Sequence, residues 1–448
     1  MRHGAGRRVF LLAASYFFYG WWDWRFCFLL ALASLIAWGS GLTLRHSATD
    51  RARRVIVAVA VAVLLAILGA FKYYGFFLDS VQGALLALGW QRDLPLMQII
   101  LPVGISFFTF QAISYVVDVY RGEFVARRSP LDVMLYISFF PQLVAGPIVR
   151  AADFLPQLEA KPVLTRGAMA LGFVLIAGGL FKKMVAANAL AVRLVDPVFL
   201  SPSEQSSLVL MVALYGYAVQ IYCDFSGYSD IAIGTAALLG YRFRRNFNQP
   251  YRALSIRDFW RRWHISLSTW LRDYLYVPLG GSRCGPLVTY RNLFLTMFLG
   301  GLWHGAAWTF VAWGTFHGLY LIAERLAGQD VIRPTGSLWQ SVIRWVVTFH
   351  MVCFAWLLFR AENTGVVLDY LAGLTAISGG FGDVTWFALA LIGASLALNV
   401  MPPLGEERLA ARLAVVHWTV LAALFSLALI VVLLLSPEGT APFIYFQF

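Results

Sequence analysis

Two histidines stand in the most unusual stretches of this chain. His304 lies in Leu299-Gly300-Gly301-Leu302-Trp303-His304-Gly305-Ala306-Ala307-Trp308, inside a long apolar run. His264 lies in Asp258-Phe259-Trp260-Arg261-Arg262-Trp263-His264-Ile265-Ser266-Leu267-Ser268-Thr269-Trp270. An ionisable side chain at membrane depth is expensive in hydrocarbon, so it marks a functional site by default. Imidazole titrates near neutral pH and can move a proton. Around His304, Gly300, Gly301 and Gly305 let backbone approach a ligand or a second helix closely. Trp303 and Trp308 supply flat apolar walls. The competing reading is a core histidine bonded to a carbonyl at a small-residue helix crossing. His264 has Ser266, Ser268 and Thr269 within reach. On its residues alone, a structural role is the stronger reading for it.

Other polar groups carry less. His317 follows His304 by 13 residues and also precedes a glycine. On a continuous helix that offset is about 20 Å along the axis and near the opposite face. The two could share a proton-transfer centre only if the helix breaks, so His317 reads as structural or tunnel-lining. His350 and His417 lie in apolar spans and read as core. Asp224 and Asp230 fall in one long apolar span, six residues apart. Asp224 could orient a histidine, or form a buried pair with an arginine that fixes helix register. No HxxxH or HExxH occurs, which speaks against a metal site. There is no P-loop, GxGxxG or GxSxG, so nucleotide hydrolysis, dinucleotide binding and a serine elbow are unsupported.

These groups must be held by membrane helices. The chain has 448 residues, 60% hydrophobic and 13% charged, with mean hydropathy +0.71. A soluble domain carries about 25% charged residues. Net charge is +12. Short basic loops facing anionic lipid account for that excess better than nucleic acid does. Cys27, Cys223, Cys284 and Cys353 are far apart and lack CxxC spacing, against a disulfide framework. Arg2 to Arg8 is basic, but Tyr16 to Trp24 is too bulky for a cleavage site. The opening segment therefore reads as a retained span.

The pattern suggests ten or eleven spans in an all-α polytopic protein. Trp21, Trp22 and Trp24 form an interfacial belt. Val55 to Ala70 is a clean span; Phe71 to Leu88 reads as a span or an interfacial helix. Ile99 to Val119, with Pro102 and Gly104, predicts a broken or re-entrant segment. Leu131 to Val149, with Pro141, Gly146 and Pro147, predicts no continuous helix. Tyr241 to Leu275 is rich in Arg, Trp and Tyr and reads as helices lying in the interface or folded back into the protein. With no internal repeat or linker, residues 1–448 read as one domain, with core motifs in 139–318 and an aromatic tail in 436–448.

Several long strings in order carry a resemblance. They are Phe139-Phe140-Pro141-Gln142-Leu143-Val144-Ala145-Gly146-Pro147-Ile148, Tyr222-Cys223-Asp224-Phe225-Ser226-Gly227-Tyr228-Ser229-Asp230 and Asn246-Phe247-Asn248-Gln249-Pro250-Tyr251. They continue with Asp258 to Ser268, Trp270 to Gly281 and Trp303-His304-Gly305. The chain resembles the membrane-bound O-acyltransferase (MBOAT) family, and within it the bacterial alginate O-acetyltransferase type. The resemblance implies a ring of helices around a central tunnel, with interfacial and re-entrant helices. It implies that His304 is the active-site histidine and His264 the family's second. Donor-binding or tunnel candidates are Arg261, Arg262, Trp303, Asp224 and Asn248. Relatives usually carry one more hydrophobic segment before the Ala14 to Trp22 string, so about one span is expected to be absent here. The tail Phe443-Ile444-Tyr445-Phe446-Gln447-Phe448 resembles an acyl-transfer motif, making Tyr445 a candidate acyl shuttle; its residues alone favour an aromatic anchor.

The expected activity is movement of an acetyl group from a cytoplasmic thioester across the bacterial inner membrane, for O-acetylation of an exopolysaccharide such as alginate. Peptidoglycan, cellulose, another surface polymer, or D-alanyl transfer to teichoic acid are alternatives. The donor would be acetyl-CoA or another acetyl thioester, with no tightly bound cofactor and no metal. Expected partners are periplasmic or membrane-anchored acetyltransferases, the polysaccharide acceptor and membrane lipid, with no nucleic acid. A transporter of polymer or lipid-linked sugar is the non-enzyme alternative; it predicts substrate movement without thioester consumption.

Overall fold

The computed structural model describes residues 2–90, 99–329, 336–402 and 405–437. Among the described residues every regular element is a helix. They group into two compact units, one of residues 1–163 and 239–243, the other of residues 164–238 and 244–448.

The first unit runs α1 (Arg2–Asp23), α2 (Phe26–His46), α3 (Asp50–Ala87), α4 (Ile105–Arg121), α5 (Pro130–Ser138), α6 (Phe140–Leu143) and α7 (Ala151–Glu159). The tryptophan belt lies at the α1–α2 junction, where Trp21 and Trp24 are exposed. Val55 to Ala70 and Phe71 to Ala87 are one helix, because nothing between Ala70 and Phe71 breaks the backbone ladder. At 38 residues α3 is about 57 Å long, well beyond a hydrocarbon core of about 30 Å. Gly104 (φ +76°) ends the irregular segment before α4, which is buried on nearly every face. Arg8 pairs with Asp132 at 2.7 Å, tying α1 to α5.

The second unit holds both histidines of interest. It runs α8 (Arg166–Leu200), α9 (Ser207–Leu238), α10 (Ile256–Arg262), α11 (Ile265–Leu271), α12 (Pro286–His304), α13 (Trp308–Leu326), α14 (Leu338–Arg360), α15 (Thr364–Thr375), α16 (Trp386–Val400), α17 (Glu406–Leu413) and α18 (Trp418–Leu435). The spine is α8 against α9. Gly179 and Gly227 face each other so closely that a Cβ on either would meet the other's carbonyl oxygen. A π-helical stretch in α8, Phe181–Ala187, widens the turn and brings consecutive side chains toward one face. Lys182 pairs with Asp230 and Lys183 with Asp224. Both α9 carboxylates are thus answered by lysine, where the sequence suggested arginine for Asp224.

Among the described residues six helices are long and apolar enough to cross a membrane: α2, α3, α8, α9, α14 and α18. Shorter apolar helices are α15 and α16. Many large apolar side chains are exposed on these helices, such as Leu65, Leu427 and Leu434. That surface suits lipid. The protein is a multi-pass membrane protein.

Two assignments to the core are corrected. His350 is exposed on α14 and accepts or shares a hydrogen bond with the Tyr215 hydroxyl at 2.7 Å. His417 is also exposed; it caps the start of α18, its ring nitrogen accepting from the Thr419 backbone N–H. Apolar sequence neighbours say nothing of which helix face a residue occupies.

Candidate active site

The helix that carries His304 ends on it. Gly305, Ala306 and Ala307 are extended or bent, and α13 starts at Trp308. The break has a packing cause. The Phe310 ring lies against Gly305 where any Cβ would collide with it. Gly301 and Gly314 let α12 and α13 meet backbone to backbone. His304 is 4% exposed. Three rings meet its imidazole edge-on: Trp303 and Trp313 at 5.0 Å between centroids, and Phe359 of α14 at 5.3 Å.

The break also changes the position of His317. Its ring lies 4.6 Å from Trp313 and 5.0 Å from Trp260, so His304 and His317 share one tryptophan. His317 is buried and is not part of the cavity wall described next.

A cavity of about 380 Å³ lies in this unit. Its wall runs from exposed Arg257, Arg261, Arg272 and Arg325 to buried His304 and Trp313. Ser268, Thr269, Thr296 and Tyr276 add hydroxyls; Leu271, Met297 and Gly300 add apolar surface. A cationic mouth leading to a buried imidazole can take a molecule with an anionic handle and a less polar reactive end. Guanidinium is the best side chain for fixing phosphate oxygens.

His264 is built differently. It follows α10, which is capped twice. Ser255 Oγ accepts from the Asp258 N–H at 3.1 Å, and Glu324 Oε1 of α13 accepts from the Ile256 N–H at 2.7 Å. The chain then turns through His264 in the left-handed region (φ +41°, ψ +57°) before α11. Such a backbone costs a β-carbon residue about 1–3 kcal/mol and survives only where its surroundings fix it. Here they do. The residues flanking His264 pair with an extended segment: Ile265 N–H donates to Asn246 O and Asn248 N–H to Arg262 O, both at 2.9 Å. The imidazole is fully buried, with Phe225 edge-on at 4.6 Å and Trp303 at 6.3 Å. Its Nδ1 lies 3.3 Å from Asn246 Oδ1. His264 lies outside the six candidate spans, and burial pushes its pKa down to about 3, so the ring is neutral.

Both histidines thus pack against Trp303, and of the two only His304 is part of this cavity wall. Of the other candidates, Arg261 lines the cavity. Arg262 does not: its Nε grips Asp258 at 2.9 and 3.0 Å, and its Nη1 donates to Asn248 O at 3.3 Å. Asn248 is exposed, and Asp224 is held by Lys183 beside Phe225. Trp303 touches both imidazoles. Tyr445 lies outside the described residues. Of the alternatives for 241–275, the fold shows helices tucked into the protein, with Ile256, Phe259, Trp263, Leu267 and Trp270 buried.

Sequence reasoning passed over Asn246, Glu324, Arg257, Arg272 and Arg325. The arginine-rich stretch 241–275 contains Arg257 and Arg272 without ranking them, and Arg325 lies outside it. Asn246 lay inside a quoted string, but nothing in Asn-Phe-Asn tells which amide turns inward.

The profile of the membrane-bound O-acyltransferase family, MBOAT, matches residues 123–368. A protein of Pseudomonas putida named probable alginate O-acetylase AlgI is 43% identical over 84% of this chain and 76% of its own length. A Helicobacter pylori protein named peptidoglycan O-acetyltransferase is 36% identical over 83% of this chain and 74% of its own length. A Bacillus subtilis protein named teichoic acid D-alanyltransferase is 29% identical over 58% of this chain and 69% of its own length.

Proposed function

The chain belongs to the membrane-bound O-acyltransferase family, and from that premise we propose that it moves an acetyl group from a cytoplasmic thioester to a hydroxyl used for O-acetylation of an exopolysaccharide, alginate first among them. The protein is a membrane-bound acyltransferase. The choice of alginate follows the 43% identity to the Pseudomonas putida alginate O-acetylase, against 36% to the peptidoglycan enzyme.

The observation that carries the mechanism is His304 at the buried end of an arginine-mouthed cavity. Acetyl-CoA or another acetyl thioester enters with its phosphates on Arg257, Arg261, Arg272 and Arg325. The acceptor hydroxyl loses its proton to the His304 imidazole as its oxygen attacks the thioester carbonyl. The new C–O bond forms, the C–S bond breaks, and the imidazolium returns the proton to the departing thiolate. His264, which also packs against Trp303, is the second participant.

Tyr445 is a candidate first acceptor, passing the acetyl group to periplasmic or membrane-anchored acetyltransferases that modify the polymer. The inner membrane is the site of action. The test is acetyl-thioester consumption and alginate ester formation by the protein in membranes that also hold its acetyltransferase partners. We expect ester in the wild type and none above background with His304→Ala. Undiminished transfer by a correctly inserted His304→Ala protein overturns the assignment. An acetyl ester on Tyr445 by mass spectrometry supports the shuttle; full transfer by Tyr445→Phe removes it.

A further inference from the structure

The hydrogen bonds around Asn246 determine which nitrogen of His264 carries the proton. Asn246 is 1% exposed, in the second unit, on the extended segment beside α10 and α11. An amide can be turned either way round, so its orientation must come from its partners. Here one partner decides it and a second is compatible. The Ser266 backbone N–H, which can only donate, points at Oδ1 at 3.1 Å. At the other end Nδ2 donates to Ser229 Oγ of α9 at 3.1 Å. Oδ1 is therefore the oxygen. The Ser266 hydroxyl donates to it as well, at 2.9 Å. The His264 Nδ1 faces this oxygen at 3.3 Å and the Ser266 hydroxyl oxygen at 3.4 Å; with the hydroxyl hydrogen given to Oδ1 along the shorter contact, both neighbours accept and Nδ1 carries the hydrogen. A neutral imidazole has one N–H and one lone pair. With Nδ1–H committed to Asn246, the lone pair is on Nε2.

We propose that Asn246 is a positioning residue that fixes His264 as the Nδ1-protonated tautomer, so that His264 serves acyl transfer through Nε2 as a hydrogen-bond acceptor, the transferred proton going to His304. This rests on the reading above that His264 takes part in transfer. The left-handed backbone at His264 is a second, independent sign that this ring is held for a purpose beyond packing. The backbone and side chain of Asn246 act together: its carbonyl holds the Ile265 N–H and its amide holds the ring. The consequence is chemical. A ring presenting a lone pair at Nε2 accepts a hydrogen bond and so orients a hydroxyl. It does not donate from Nε2 to a developing oxyanion. His264 thus belongs with the acceptor hydroxyl and not with the thioester oxygen.

The experiment is nitrogen NMR of the full-length protein in lipid discs, with histidine labelled on the ring and the His264 signals assigned by their loss in His264→Gln. The wild type is expected to show a protonated Nδ1 and an unprotonated Nε2. Asn246→Asp keeps an oxygen facing Nδ1 and is expected to keep that pattern. Asn246→Leu removes the oxygen and is expected to lose it, with kcat falling roughly 10–100-fold at a donor KM within about twofold, and Asn246→Asp recovering most of kcat. A wild-type ring protonated on Nε2 overturns the proposal without reference to activity, and so does an unchanged tautomer and kcat in Asn246→Leu. If the tautomer is as stated but His264→Gln transfers at the wild-type rate, the participation of His264 falls while the assignment of the Asn246 hydrogen bond stands. The wild-type spectrum decides the tautomer even if a variant does not fold.

Discussion

The two histidine sites solve the same problem by different means. His304 is placed by shape: a helix that ends, a glycine that admits a phenylalanine ring, and three aromatic edges. His264 is placed by polar groups: a capped helix, a left-handed turn, and an amide oriented by two donors and one acceptor. The first leaves the imidazole in the wall of a cavity; the second buries it and fixes its proton. A residue that must meet a moving substrate is held by packing that leaves a face open. A residue that must present one particular lone pair is held by hydrogen bonds.

The sharpest way to break this contrast is Gly305→Val. The new side chain must displace the Phe310 ring, so His304 leaves the cavity wall. Transfer is expected to fall about 100-fold or more while the protein still inserts and elutes as the wild type, read by ester formation and size-exclusion chromatography. Next is Arg261→Gln, which removes one charge from the cavity mouth. The KM for the thioester is expected to rise roughly tenfold with kcat little changed, the scale of one charge-assisted hydrogen bond, read in steady-state kinetics. Glu324→Ala leaves the Ile256 N–H buried without its carboxylate and loosens the entry to α10. We expect a lower melting midpoint, reflecting about 1–3 kcal/mol, and a kcat reduced a few fold. The smallest effect on the donor belongs to Arg262→Gln. Its charge is already engaged by Asp258, so KM is expected to stay within about twofold while stability falls by roughly 1 kcal/mol. If Arg262→Gln and Arg261→Gln raise KM equally, the cavity mouth is not the donor site.

Much of this was legible in the chain. An all-helical membrane protein followed from composition. The interruptions at Pro102–Gly104 and Pro141 followed from residues that cannot continue a helix. His304 stood out because imidazole between glycines and tryptophans in an apolar run has few cheap explanations. What was not legible depended on which helix face or which loop turn a residue occupies. Arg261 and Arg262 are adjacent, yet one faces the cavity and the other faces Asp258. Asn246 and Asn248 are two apart, yet one is buried and the other exposed, because the segment bends as it pairs with both flanks of His264. The 38-residue α3 and the two lysine pairs of α8 were missed for a related reason: hydropathy reports how greasy a stretch is, not what it leans on.

Those lysine pairs bear on how the protein is made. α8 carries two adjacent ammonium groups in its middle, and α9 carries the two carboxylates that answer them. Either helix entering lipid by itself would take its charges in bare, at about 2.5–3.5 kcal/mol for each ion near the centre. Entering as a hairpin, the two bring neutral pairs. The translating ribosome delivers α8 first, so its two ammonium groups are neutralised only once α9 has emerged. The close glycine contacts then allow the hairpin to zip shut. The pairing of α8 with α9 is thus expected to favour their insertion together over insertion one at a time.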